Sequence, residues 1–173
     1  MFRIGVVVTL ILLTVASAFA CGDKLLLLGW GISFGQIHRT EHPASILIYM
    51  NGSSELPAAD KDVHLQTVLK LAGHKLKSIE GRTEFQRALG SGTYDVVVVG
   101  LSDATILKSE VETAPGTPLL LPLLYKPNND QLAAAHEQFS CAFKAEKNNK
   151  ILGILDEAMK NKQKGTGPKC PTR

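Results

Sequence analysis

Two histidines near the amino end are the first residues that could do chemistry. His38 and His42 are four positions apart, a spacing that on a helix places two imidazole ligands for a metal on one face, and Glu41 adds a carboxylate. Pro43 follows at once, however, and the chain contains no HExxH motif. We therefore expect a solvated linker without a resident metal, and a metal site at His38 and His42 is the alternative.

Other motifs of cofactor binding and catalysis are weak or missing. Residues Gly29–Gly35 read GxGxxxG after an apolar run, which is similar to a dinucleotide-binding turn. No acidic residue ends the next strand, so we expect a tight turn around Trp30 and no cofactor. No Ser/His/Asp or Cys/His arrangement of a catalytic site can be identified in the sequence. These observations predict a protein that is not an enzyme.

The three cysteines bear on the compartment of the protein. Cys21 follows Ala18-Phe19-Ala20, which resembles a bacterial lipoprotein box, although that pattern prefers Leu where Ala18 stands. Lipidation of Cys21 would leave Cys141 and Cys170 as a pair, whereas the apolar surroundings of Cys141 favour a buried free thiol. The absence of a CxxC motif gives no support to a thioredoxin-type redox site or a structural zinc site.

The first twenty residues have the layout of a secretory signal peptide. Arg3 is followed by an apolar run from Ile4 to Val15 and then by small residues up to Ala20. An uncleaved anchor is the alternative, but this stretch is at the short limit for a membrane span, which needs roughly 20 residues. We expect an exported protein that is periplasmic or attached to the cell envelope through lipidated Cys21.

The charge of the chain excludes one class of partner. The 173 residues carry a formal charge of +3, and 45% of them are hydrophobic. A balance this close to neutral does not suit a dedicated nucleic-acid binder, which needs a concentrated basic surface. The hydrophobic content is enough for one ordinary folded domain.

From residue 46 onward, short apolar runs alternate with helical patterns. The predicted strands are Ile46–Met50, Lys75–Ile79, Tyr94–Gly100, Pro118–Leu124 and Phe139–Phe143. Between them we expect one helix from Pro57 to Ala72, a helix capped by Thr83, a helix opened by Ser102 or Asp103, and a helix capped by Asp130; a final helix starts at Asn148 or Asn149.

This alternation predicts an α/β fold: a doubly wound, five-stranded parallel sheet of order 2-1-3-4-5 with helices on both faces. The domain covers residues 45–162. Residues 21–44 form a tether or an extra edge element, and residues 163–173 form a flexible basic tail.

The passage LKLAGHKLKSIEGRTEFQRAL and the strand YDVVVVG carry a family resemblance. Together with their spacing they resemble the receiver domain of bacterial response regulators, from about residue 46 to 162. The family's acidic pocket is missing from this chain. The positions that match the pocket are Met50 and Asn51 for the two metal-binding acids, Gly100 for the phosphate-accepting aspartate, Leu123 for the Ser/Thr, and Lys144 for the lysine.

These replacements remove the family's chemistry. Phosphoryl transfer to a carboxylate needs a nucleophile and a divalent cation. Gly100 has no side chain, the Met50 thioether is too soft for magnesium, and Asn51 offers one neutral oxygen. The resemblance therefore implies a degenerate, exported pseudo-receiver that is not phosphorylated and that binds an unknown protein partner through residues 130–162.

The alternative is a periplasmic small-ligand-binding domain related to the solute-binding proteins of transporters. Its ligand would lie at the carboxyl ends of the strands, in the loops Asn51–Ser54, Gly100–Asp103 and Lys126–Asn128. A third interpretation, an exported hydrolase or redox enzyme, lacks a recognisable nucleophile, metal set or cofactor loop.

Overall fold

The computed structural model describes residues 39–139, 141–145 and 149–165. All of them belong to one structural unit that spans residues 36–173. Several predictions concern residues outside this part of the chain: the signal peptide, lipidation of Cys21, the Gly29–Gly35 turn, His38 and the end of the basic tail. Within the described residues, no helix is long and apolar enough to cross a membrane.

The described residues form a five-stranded, fully parallel sheet in the order β2-β1-β3-β4-β5. The strands are β1 (Ser45–Tyr49), β2 (Lys75–Ile79), β3 (Val96–Gly100), β4 (Leu119–Leu124) and β5 (Phe143–Lys144). The fold class and the strand order predicted from the sequence are confirmed.

The described residues include six helices, of which five connect the strands and the last follows β5; together they cover both faces of the sheet. They are α1 (Leu56–Val63), α2 (Leu65–Leu71), α3 (Arg82–Leu89), α4 (Leu101–Glu112), α5 (Asn129–Gln138) and α6 (Asn149–Gln163). Helices α1, α2 and α6 pack on one face and α3, α4 and α5 on the other. Val96 and Val98 join the first core and Val97 and Val99 the second, because successive side chains of a strand point to opposite faces. A strand covered on both sides therefore needs an apolar residue at every position.

The prediction of one helix from Pro57 to Ala72 is wrong, because the helix breaks at His64. The backbone of His64 has a φ of 51°, a left-handed conformation that ends α1 and begins α2. Asp60 stabilises the break, since its carboxylate accepts hydrogen bonds from Gln66 N at 2.8 Å and from Gln66 Nε2 at 2.8 Å. In one continuous helix, the buried residues of α1 would lie on the side opposite to those of α2, so the apolar pattern changes phase at the break. These buried residues are Leu56 and Ala59 in α1 and Leu65, Val68 and Leu69 in α2.

Three helix starts also differ from the prediction. Gly81 precedes α3, so Thr83 lies inside the helix instead of capping it. Helix α4 follows Gly100 directly, and Asp103 lies buried in its first turn. Helix α5 is capped by Asn128 and not by Asp130; the Asn128 side chain accepts from Gln131 N, and the Gln131 side chain accepts from Asn128 N.

The last strand is shorter than predicted, and the last helix extends to Gln163, into the predicted tail. Pairing between β4 and β5 begins only at Leu123 and Phe143, directly after Pro122, which has no N–H for the ladder. Cys141, in the segment before β5, is buried and disulfide-bonded. The expectation of a free thiol there is therefore wrong; the two other cysteines, Cys21 and Cys170, both lie outside the described residues.

Candidate functional site

The carboxyl ends of β1 and β3 lie next to each other, at the edge where doubly wound folds bind ligands. Asn51, just beyond β1, donates from Nδ2 to Asp103 Oδ1 at 2.8 Å. Its Oδ1 accepts from Ser53 N at 3.2 Å and from Ser53 Oγ at 2.9 Å. Both ends of the Asn51 amide are thus bonded to the protein itself.

Ser54 fills the space beside Gly100, the position that matches the phosphate-accepting aspartate of receivers. A Cβ atom on Gly100 would lie 3.0 Å from Ser54 Cβ and 3.1 Å from Ser54 Oγ. Ser54 is held there because its Oγ donates to the Asn51 carbonyl at 2.9 Å. A side chain at residue 100 therefore requires Ser54 to give way by a few tenths of an ångström.

Asp103 is the one acidic side chain that is buried among the described residues, with 6% of its surface exposed. It lies in the first turn of α4, where the unpaired N–H groups of a helix favour a negative charge. Its Oδ1 accepts from Asn51, whereas its Oδ2 has no partner within the described part of the chain. The sequence suggested Asp103 as a helix cap. In the structure it lies in the first turn of the helix and is bonded to Asn51.

The other predicted pocket residues do not join this cluster in the same way. Leu123 is fully buried in the core under α1, α2 and α6, and Met50 packs against the same core. Lys144 is half-buried on β5. The five predicted pocket residues are therefore divided. Asn51 bonds to Asp103 and Ser54, and Ser54 lies against Gly100. Met50 and Leu123 belong to the core, and Lys144 lies on β5.

The loop after β4 is tied to α1. Tyr125 N donates to Glu55 Oε2 at 3.3 Å, and Tyr125 Oη donates to Asp62 Oδ2 at 3.1 Å. Lys126 Nζ lies 3.5 Å from the same Asp62 oxygen and 4.6 Å from the centre of the Tyr125 ring. Tyr125 and the charge of Asp62 together raise the pKa of the exposed Lys126 ammonium. The loops after β1 and β4 thus bond to one another or to nearby helices.

A second polar cluster lies at the amino end of β1, around Asp156 of α6. Asp156 Oδ1 accepts from Thr40 Oγ1 at 2.7 Å, from His42 N at 3.1 Å, and pairs with His42 Nδ1 at 3.1 Å. The Glu41 carboxylate lies in the same group. Burial opposes ionisation of Asp156, but the hydrogen bonds from Thr40 and His42 outweigh it and lower the pKa of this carboxyl group.

His74, just before β2, is buried at the same end, with 5% of its surface exposed. Its Nδ1 accepts from Ala44 N at 3.2 Å, so the ring proton belongs on Nε2, which has no partner among the described residues. Burial lowers the pKa of His74, and the charge of Asp156 opposes that effect in part. His74 is thus a buried imidazole, close to the end of α2 at Leu71.

A groove of about 370 Å³ opens at the amino end of β4, between α4 and the end of α5. Lys108 crosses it, with Nζ 3.3 Å from the Gln138 carbonyl and 5.5 Å from the centre of the Phe139 ring. The groove is lined by both apolar and charged residues, and it lies at the opposite edge from the predicted ligand loops.

Sequence reasoning included Ser54 only as part of the candidate loop Asn51–Ser54, and it missed Asp156. Asp156 belongs to no motif and is 114 residues away from His42 in the chain. In comparisons with known proteins, no family model, no curated protein and no solved structure matches this chain. The evidence for its family is therefore confined to the fold: a parallel α/β sheet of order 2-1-3-4-5, which is consistent with a flavodoxin-like or receiver-like fold.

Proposed function

We propose that residues 45–162 form a pseudo-receiver: a non-catalytic, exported module that binds a protein partner and is not phosphorylated. The observation that carries this proposal is the closure at Gly100. A phosphate acceptor at this position needs a nucleophilic side chain, a bound divalent cation and open space for the phosphoryl group. Here residue 100 has no side chain, and Ser54 lies within 3.0 Å of the point at which one would begin.

The surroundings of Gly100 support the same proposal. Asn51, which stands where receivers have a metal-binding acid, uses its amide on Asp103 and Ser53. Asp103, whose carboxylate is buried, already accepts a hydrogen bond from that amide. Binding of a small ligand at this edge gains less support, because side chains of the loops after β1 and β4 bond to protein groups.

We place the partner surface on α5, β5 and α6, which the resemblance to receivers suggests. Helix α5 supports this choice: of its ten residues only Ala135 is buried, and Leu132 is partly buried. The capping box of Asn128 and Gln131 stabilises the helix at its start although little of it packs. An ordered helix with so much exposed surface is suited to contact a second protein.

The Cys141 disulfide supports the export part of the proposal. Disulfides persist in oxidising compartments such as the bacterial periplasm and are rare in the cytosol.

Site-specific photo-crosslinking in the native cell tests the partner surface. A photoreactive residue is placed at Ala134 or Glu137 on exposed α5, and a matched probe is placed at Glu84 on exposed α3. We expect one discrete adduct with the same protein from both α5 positions and none from Glu84. No adduct from α5, or equal adducts from α3 and α5, would contradict the proposal.

A further inference from the structure

We propose that Glu41, His42 and Asp156 bind one divalent transition-metal ion of the zinc type at the amino end of the sheet. Each residue offers one ligand atom, and the three atoms all lie within 4.8 Å of one another. An imidazole together with carboxylates is a ligand set that zinc accepts. This inference concerns a site separate from the closed edge and does not rest on the pseudo-receiver function.

The spacing of the ligand atoms is close to what a zinc ion requires. Ligands at about 2.0–2.2 Å from a tetrahedral ion lie roughly 3.4 Å apart. His42 Nδ1 and Asp156 Oδ1 are 3.1 Å apart, so they need almost no movement to share an ion. Glu41 is exposed, and a change in its side-chain rotamer can bring its carboxylate closer. Three protein ligands leave the fourth position to water.

The chain also holds the ligands in place before an ion binds. Thr40 Oγ1 and His42 N both donate to Asp156 Oδ1, which orients the carboxylate toward the residues 40–42 segment. That segment is anchored in turn, because Thr40 N donates to the Ala72 carbonyl at 3.0 Å. Hydrogen bonds of this kind orient metal ligands and strengthen their binding.

Charge favours the same assignment. Two carboxylates brought close together repel each other, and a divalent cation neutralises both. Binding through His42 Nδ1 displaces the proton that this nitrogen shares with Asp156, and the proton passes to solvent. His74 is not a ligand, because its Nδ1 accepts from Ala44 and its Nε2 carries the ring proton.

The test is calorimetric titration of Zn²⁺ into the purified, tag-free chain, together with thermal unfolding. We expect one ion per chain and a Zn²⁺-dependent rise in Tm of about 5 °C at saturating ion. Glu41→Gln and His42→Ala should each weaken Zn²⁺ binding at least about tenfold. Mg²⁺ should produce no comparable rise, because imidazole favours transition metals.

Two exposed residues provide matched controls: His136 on α5 and Glu157, the neighbour of Asp156 on α6. His136→Ala and Glu157→Gln should bind Zn²⁺ as the unchanged chain does. Asp156→Asn keeps an oxygen that can accept from Thr40 and His42 N but weakens these bonds by removing the charge, so Glu41→Gln and His42→Ala, which leave Asp156 and its Thr40 bond in place, decide the question. Absence of a Zn²⁺ effect, an effect that survives both substitutions, or an equal response to Mg²⁺ would overturn the proposal.

Discussion

The two ends of the sheet use buried polar groups in different ways. Each end holds one buried polar side chain with an atom that has no partner in the described part of the chain, Asp103 Oδ2 at the carboxyl end and His74 Nε2 at the amino end. At the carboxyl end, Asn51 bonds to Asp103 on α4, and Ser54 bonds to Asn51 within one loop. At the amino end, segments far apart in sequence meet at Asp156.

The two ends also differ in which ionisable side chains they bring together. Doubly wound folds bind ligands at the carboxyl end, where here the Asn51 amide bonds to Asp103 and Ser53, and Ser54 lies against Gly100. The amino end instead combines a carboxylate whose pKa is lowered with an exposed carboxylate and an imidazole. The polar side chains beside Gly100 thus make structural contacts, and the charged cluster lies at the other end.

The largest expected effect comes from restoring an acid at residue 100. Gly100→Asp should lower the free energy of unfolding by about 2–3 kcal/mol, because it puts a carboxylate at a fully buried strand end and crowds Ser54. Urea denaturation measures the loss. The double variant Ser54→Gly/Gly100→Asp should recover part of it, since it removes the opposing side chain. A Gly100→Asp variant as stable as the unchanged chain would show that the edge is open.

A smaller effect is expected from the bond between Asn51 and Asp103. Asp103→Ala should cost about 1–2 kcal/mol, because it leaves the Asn51 amide without its acceptor. A double-mutant cycle with Asn51→Ala should give a coupling of about 1 kcal/mol. The exposed Glu137→Ala on α5 serves as the control and should change stability by less than about 0.5 kcal/mol. If the stability losses of Asp103→Ala and Asn51→Ala simply add, the two side chains do not stabilise each other and the expectation is wrong.

The smallest effect concerns His74 and pH. Burial holds the pKa of folded His74 below its ordinary value of 6.5, despite the opposing charge of Asp156. As pH falls, the His74 imidazole is therefore protonated in the unfolded chain before it is protonated in the folded chain. The stability that comes from keeping His74 neutral is complete above pH 6.5 and declines as pH falls from there toward the folded pKa.

His74→Asn keeps an acceptor for Ala44 N and removes the titrating group. Between pH 7.5 and 5.5, the unchanged chain should lose about 0.5 kcal/mol more stability than His74→Asn. Chemical denaturation at several pH values measures both slopes. Parallel slopes would show that the amino end does not hold a neutral, buried histidine.

The sequence was sufficient to predict the sheet, because its signals are local. The four valines of β3 indicate a strand covered on both faces, and the short alternating run Lys75–Ile79 indicates β2. The break at His64 was not predicted, although the apolar positions before and after it are out of phase for one helix; its place depends on the left-handed backbone of His64 and on the Asp60 side chain.

The candidate sites were predictable only in part. Gly100 and Asn51 could be aligned with a family pocket, but the closure depends on the path of the loop that carries Ser54. His42 was noticed through its spacing from His38, whereas its partner in the structure, Asp156, comes from α6. No local pattern records a contact between residues so far apart in the chain.

The central claim is that the receiver-like edge performs no phosphoryl chemistry. Intact-mass spectrometry of the purified chain after incubation with acetyl phosphate and Mg²⁺ tests it most directly, with a receiver domain that has a complete acidic pocket treated in parallel. We expect a phosphoryl adduct on that control and an unchanged mass for this chain. A stable adduct on this chain that hydroxylamine removes would contradict the claim.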